Sequence, residues 1–453
     1  MRSSKSRLIT GFALATLVAL VCNLAGSAPI QASSRAQQTL VAGQTAFPTG
    51  PIEIGTLSTK GTSAYNWERN LADQVQKDYP GTSITLTFDN GTAIPAMEQR
   101  WRAGHAADSD YGMFDGTDPT TWSWVDNGYL LDLTKYMNQP ATGTSTKWVN
   151  TFAPTVRKFM TDPRSNKVEA VPTEVTVMVL FYNKAIFTKF GITPPRTWAQ
   201  FLAAGDALKA KGVDPVAVTG LFTPYMGMWS DYLFERMVGA QKAFDVVHGK
   251  ASIKSDPGFL KALQLIQEMR DRHFFLKGFQ GTNFTTAQLQ FFQGKAGMIL
   301  MGSWLVAEMK DSIPAGFQLG IVPFPTIPGG KGDQTALFGT ANQISVNAKT
   351  KYPDLVTTYL RRFTSQSMQA NRAQALGLVS PVLGVPSPAS LPGIDKILAS
   401  AHTGLVPRYL GTINNATLWH AYYDQVGKLI FGQQNAQQTL NNLAQTLKQA
   451  NSK

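Results

Sequence analysis

A chain of 453 residues has room for two or three ordinary cores, and 43% apolar with 15% charged residues excludes both a disordered chain and a bundle of membrane spans. The formal charge is +12, yet Arg2, Lys5 and Arg7 supply three of those charges before any acid appears. Nucleic acid is the sharp reading of such an excess. No basic block with interleaved aromatics and no helix-turn-helix or RRM pattern accompanies it, so no nucleic-acid partner is expected and the charge is read as a solvated surface.

Arg2, Lys5 and Arg7 precede a short apolar run, Leu8 to Val21, which is too brief to span a bilayer. Residues 1–32 are therefore expected to be an export signal cut after Ala32, with the protein on the periplasmic or extracellular face of the membrane. A second reading lipidates Cys22 through Leu20-Val21-Cys22, although bulky Val21 stands where a small residue is expected. Cys22 is the chain's only cysteine, so no disulfide, thiol nucleophile or thiolate metal site is expected beyond it.

Residues 33–50, rich in Ser, Gln, Ala, Thr and Gly, read as a flexible leader. Ile52-Glu53-Ile54-Gly55-Thr56-Leu57 alternates as a strand, and Trp67, Leu71 and Val75 then share one helical face. Pro80-Gly81 stops that helix before Ile84, Leu86 and Phe88 alternate again, which makes a βαβ unit and an α/β fold class. Val175 to Tyr182 reads as a strand buried on both faces. Phe259, Leu263, Ile266 and Met269 mark an amphipathic helix, with Ser255 as N-cap and Pro257 in its first turn. Gly297 to Met301 and Asn342 to Val346 are further strands. Helices are expected through Leu355, Tyr359 and Phe363 and through Leu440, Leu443 and Leu447.

Catalytic signals are thin. His105, His248, His273, His402 and His420 are scattered, with no HExxH and no pair at metal-ligand spacing. No GxSxG elbow and no GxxxxGKS/T loop occurs, and Gly329-Gly330-Lys331-Gly332 reads as a turn. No cofactor and no metal are expected. The many acids leave room for a glycosidase carboxylate pair at this level.

Three segments carry a resemblance. The first runs from Ala170-Val171-Pro172-Thr173-Glu174 through Leu180-Phe181-Tyr182-Asn183-Lys184 and Phe187 to Gly191-Ile192-Thr193-Pro194-Pro195-Arg196-Thr197-Trp198. The second is Phe292-Gln293-Gly294-Lys295-Ala296-Gly297-Met298 with Gly302-Ser303-Trp304. The third joins Val322-Pro323-Phe324-Pro325 and Pro328-Gly329-Gly330 to Phe338-Gly339-Thr340 and Phe363-Thr364-Ser365-Gln366. In order and spacing they resemble the family 1 extracellular solute-binding proteins of ABC importers, over roughly residues 51 to 450. The resemblance implies two discontinuous α/β lobes joined by a hinge, as in type II periplasmic binding proteins. The lobes are expected at 51–170 plus 340–380 and at 171–339 plus 381–453, with crossings near 168–176 and 336–346. It also implies a non-catalytic monomer that captures a carbohydrate, closes on it and delivers it to permease subunits in the membrane.

A sugar ring needs aromatic faces for stacking and polar groups at its rim, in a concave site. The family's stacking positions fall on Trp304, on Tyr225 with Trp229 in Thr223-Pro224-Tyr225-Met226-Gly227-Met228-Trp229, and on Trp419. Thr223 stands where the family's closest pattern has a glutamate, so that hydrogen bond does not transfer. Each aromatic has a second reading as a core residue. Asp118, before Pro119, is either the family's acidic hydroxyl acceptor or a turn residue, and Trp122 follows one turn later. Glu174 falls near the hinge. Ser58 and Trp67 flank the first βα loop, where ligands bind in open α/β sheets, though Trp67 fits the helix core equally. Receptors for a polyamine, an iron chelate or a glycerol phosphodiester remain open, as does a secreted carbohydrate-active enzyme.

Overall fold

Residues 49–88, 99–402, 404–406 and 420–451 are described by a computed structural model of the chain. The first alternating run becomes β1 (Pro51–Thr56), and Thr62 then caps α1 (Ser63–Asp78) by accepting from the Tyr65 amide. β2 (Ser83–Phe88) returns parallel to β1, with Ile52 opposite Ile84 and Ile54 opposite Leu86. The short β3 (Ser109–Tyr111) joins the other side of β1 at Ile54. Leu71 and Val75 of α1 are fully buried against this sheet's apolar face.

The long strand β4 (Val171–Asn183) organises the rest. Twelve of its thirteen residues are buried, Thr173, Glu174 and Thr176 among them, as in a strand covered on both faces. After it come α2 (Trp198–Ala210), β5 (Asp214–Ala217), α3 (Thr223–Val238) and α4 (Pro257–Asp271). Next are α5 (Phe284–Phe292), β6 (Ala296–Gly302), α6 (Leu305–Met309), β7 (Leu319–Val322) and β8 (Leu337–Val346). The first half of β4 pairs antiparallel with β8, from Val171 opposite Ile344 to Val177 opposite Gly339. Its second half pairs with β6, from Met178 opposite Gly302 to Tyr182 opposite Met298, and with β7 on the other side. β8 also pairs with β3, so β4 and β8 are the shared strands between two groups of strands. The register slips between Pro172 and Glu174, a bulge that re-aims the residues there.

Among the described residues two large hydrophobic cores form, and a smaller cluster joins Trp101, Phe114 and Trp124. One draws on residues between Ile52 and Val171 and between Ile344 and Val382, including α7 (Pro353–Phe363) and α8 (Gln366–Leu376). The other is larger, built around Val177 to Phe181, Trp229, Tyr232, Phe259 and Met298, and it extends to Leu447 in α9 (Ala436–Asn451). In it Tyr232 stacks on Phe324 with centroids 4.4 Å apart. One expectation is corrected: Asp256, not Ser255, caps α4, its Oδ1 accepting from the Gly258 amide at 2.9 Å. Ser255 instead ends a 3-10 turn (Ile253–Ser255) and donates its hydroxyl to the Ser252 carbonyl at 2.7 Å, which leaves the cap position directly before Pro257 to Asp256.

Candidate functional site

The aromatic candidates on the second core come together. Where β6 ends, the Ser303 amide donates to the Val177 carbonyl at 2.8 Å and its hydroxyl accepts from the Val177 amide at 3.2 Å. This clamp fixes the turn to β4 and presents Trp304 half-buried. Tyr225, in the first turn of α3, is also half-buried, with its ring centroid 6.2 Å from that of Trp304. Phe222 meets Tyr225 edge-on at 5.0 Å, and Phe284 of α5 lies 5.9 Å from Tyr225. Four partly open rings therefore make one platform, each pairing contributing about 0.5–1.5 kcal/mol beyond area burial. Trp229, one turn further along α3, is a correction. It is 1% exposed between Phe201 (5.5 Å) and Phe324 (5.8 Å), so it offers no face to a ligand. Trp419 lies outside the described residues.

The polar candidates gather beside the first core. Ser58 donates to Glu68 Oε1 at 3.0 Å, and its amide donates to Thr56 Oγ1 at 3.0 Å. Glu68 is buried. Trp67 is 8% exposed, donates to Asn371 Oδ1 at 2.8 Å and sits edge-on to Phe363, which places it in the helix core. Arg372 of α8 donates to the Thr173 carbonyl at 2.9 Å and lies 3.6 Å from Glu174 Oε2. Its guanidinium also faces the rings of Trp67 and Phe363, at 5.7 and 5.3 Å. Burial pushes both Glu68 and Glu174 up from the ordinary glutamate value, and Arg372 opposes each shift. Glu174 is three residues from Val177, the anchor of the Trp304 turn, so acid and turn are separated by about 10 Å of strand.

A third group follows β3. Asp115 accepts from the Thr117 amide and hydroxyl at 2.8 and 2.6 Å, and from Thr340 of β8 at 3.0 Å. Burial pushes its carboxyl up to about 6, with those hydrogen bonds opposing and Asp118 adding to the rise. Asp118 is buried in the turn, its amide donating to Asp115 and its carbonyl accepting from Thr121. Trp122 is half-buried with the Arg164 guanidinium 4.8 Å from its ring centroid, so a cation already covers it.

A family model described as bacterial extracellular solute-binding protein matches residues 59–370 of this architecture. The chain belongs to that family. Among curated relatives of this solute-binding protein, the multiple sugar-binding protein of Streptococcus mutans is 26% identical over 205 residues, 44% of this chain and 48% of the relative. The sn-glycerol-3-phosphate-binding periplasmic protein UgpB of Yersinia pseudotuberculosis is 23% identical over 217 residues, 44% of this chain and 45% of UgpB. The chain thus spans about half the length of the curated relatives it matches. A solved chitin oligosaccharide binding protein superposes with a TM-score of 0.76 at 22% identity, covering 89% of this chain and 100% of that one. At that identity the likeness is one of fold: the two-lobed α/β architecture of the maltose-binding type.

Sequence reasoning missed several residues of this solute-binding protein's candidate site. Glu68, Asn371 and Arg372 carry no motif. Asp115 is three residues from the chosen Asp118, and Phe222 and Phe284 look like any other phenylalanines. Two cavities lie elsewhere: one of about 640 Å³ beside Glu235, Lys242, Lys331 and Asp333, and one of about 340 Å³ beside Thr144, Asn150 and Ser365. Neither takes in a residue of the platform or the polar groups. Among the described residues no cluster of three metal-binding side chains occurs, and no helix is long and apolar enough to cross a membrane.

Proposed function

We propose that this chain is the receptor of an ABC importer, taking an uncharged saccharide into a cleft between its two cores. The carrying observation is the platform of Trp304, Tyr225, Phe222 and Phe284: half-open rings sharing one surface, held to β4 through Ser303 and Val177. Such faces suit the C–H side of a sugar, while the half-open Ser58 supplies a polar group at the rim, with the buried Glu174, Asp115 and Asp118 behind it. In this reading the lobes run over 51–170 plus 340–380 and 171–339 plus 381–453, with β4 and β8 as the hinge crossings. Closure around the ligand presents the receptor to membrane permease subunits. The chain is exported, through a leader cut after Ala32 or a lipid on Cys22, and acts as a monomer without catalysis.

The names of the Streptococcus mutans relative and of the chitin oligosaccharide binding protein support a saccharide, whereas that of UgpB favours glycerol phosphate as the second reading. A tryptophan-fluorescence titration of the purified protein decides between them. Saturable binding to one member of a mono- and oligosaccharide panel, lost in Trp304→Ala and Tyr225→Ala variants that stay folded, supports the first reading. A response to sn-glycerol 3-phosphate alone replaces it with the second.

A further inference from the structure

The loop after β1 has its hydroxyl protons committed inward. Ser58 donates to Glu68 Oε1 at 3.0 Å, and Thr56 hydrogen-bonds the same carboxyl while its oxygen accepts the Ser58 amide at 3.0 Å. A serine that gives away its one proton keeps only lone pairs for a newcomer. Glu68 is 3% exposed, so it reaches the half-open Ser58 from below. Among the described residues the guanidinium that faces it is Arg372 of α8, which is bound to the Thr173 carbonyl, paired with Glu174 and packed against Trp67 and Phe363. Tyr111 of β3 and Tyr359 of α7 face Glu68 from the remaining elements and bring no positive charge. Lys60 stands exposed on the same loop. Two buried acids thus share one facing cation, and Glu68 is the one that stands behind Ser58.

We propose that Glu68 is a positioning residue of the binding site: it takes the proton of the half-open Ser58 hydroxyl and leaves that oxygen an acceptor, with Thr56, 1% exposed, committed behind it, so this loop recognises a hydroxyl or ammonium donor on the ligand and rejects phosphate and carboxylate. The assignment rests on the saccharide reading of the cleft and deepens it. The carboxylate is the competent form. Because burial raises its proton affinity, affinity falls as the solution is acidified. Glutamine keeps the shape but has one oxygen for two hydroxyls. One of them must accept from its NH2 and turn its own proton away from the carboxyl position, which disturbs the arrangement that keeps Ser58 an acceptor.

The test is calorimetric titration of the purified protein and its Glu68→Gln variant at pH 8 and pH 5. The probes are raffinose, N,N′-diacetylchitobiose and xylotriose, with sn-glycerol 3-phosphate as the anion. The wild type is expected to bind a saccharide, to weaken on acidification and to ignore the phosphate. The variant is expected to bind about tenfold more weakly at pH 8, the scale of a hydrogen bond to a charged group, and to lose that part of the pH dependence. Equal affinity and an equal pH slope in the variant overturn the proposal, as does preference of the wild type for the phosphate. If Glu68→Gln does not fold, Ser58→Ala takes its place with the same expected loss. Binding of none of the probes removes the saccharide reading, and Glu68 is then judged on ligand-free protein by carboxyl NMR. A resonance that titrates above the ordinary glutamate range and moves in Ser58→Ala upholds the assignment, and one that ignores Ser58→Ala ends it.

Discussion

Gly302 has no room for a side chain because the Trp304 indole occupies the space where its Cβ would lie. The last residue of β6 and the first half-exposed aromatic after it are therefore packed as one unit, with Ser303 pinned to Val177 between them. Gly302→Ala is expected to push the indole out of line with Tyr225. Saccharide affinity should fall about tenfold, the cost of misplacing one stacking partner. The thermal midpoint should drop by less than in a core truncation. Fluorescence titration alongside thermal melts checks this, and unchanged affinity would show that the platform is not the contact surface.

Tyr225 and Trp229 lie one turn apart on α3 yet have opposite fates. Tyr225→Ala removes a half-buried ring and should cost about 1 kcal/mol or less of stability, with its main effect on binding. Trp229→Ala opens a cavity between Phe201 and Phe324 and should cost about 3–5 kcal/mol. Urea unfolding of the two variants separates them, and equal midpoints would contradict the burial difference.

Asp115 makes stability depend on pH. Its folded-state carboxyl is raised from 3.8 to about 6, so the folded chain holds a proton more tightly than the unfolded one. The sign follows: the associated stabilisation is complete below about pH 4 and is lost as pH rises through 6. The shift corresponds to a difference of about 3 kcal/mol. Asp115→Asn does not titrate. Its stability relative to wild type should therefore improve by that order between pH 4 and pH 7.5, whatever it loses at the Thr340 hydroxyl. Chemical denaturation at both pH values measures the change, and a constant difference would show that Asp115 ionises normally.

The fold was legible because its signals are local. Ile52 and Ile54 alternate opposite Ile84 and Leu86, and the apolar run around Val175 to Tyr182 announces a strand covered on both faces. Depth along an element was not legible: Tyr225 and Trp229 share a helix face, and only the position of Phe201 and Phe324 decides which is sealed. Ser255 and Asp256 are both cap formers, and only the point where the preceding 3-10 turn ends decides which of them caps the helix. Glu68, between Trp67 and Arg69, carries no sequence signal of its burial, because the arginine that faces it comes from α8, 304 residues later. Chemistry assembled across such separations leaves no periodic trace.

That long-range arginine gives the sharpest test of the first core. Arg372 is 7% exposed at its side chain, as is Glu174, and it faces Glu68 as well. Arg372→Met fills the volume but leaves two buried carboxylates without their cation, and removing one partner of such a pair costs about 3–5 kcal/mol. Lysine is expected to rescue little, since an ammonium lacks the planar fork that reaches the Thr173 carbonyl and packs on Trp67 and Phe363 together. The double variant Arg372→Met with Glu174→Gln should recover part of the loss by removing one stranded charge. Urea denaturation of both single variants and the double closes the cycle. Additive losses would mean that the 3.6 Å pair carries no coupling and that Arg372 acts through packing alone.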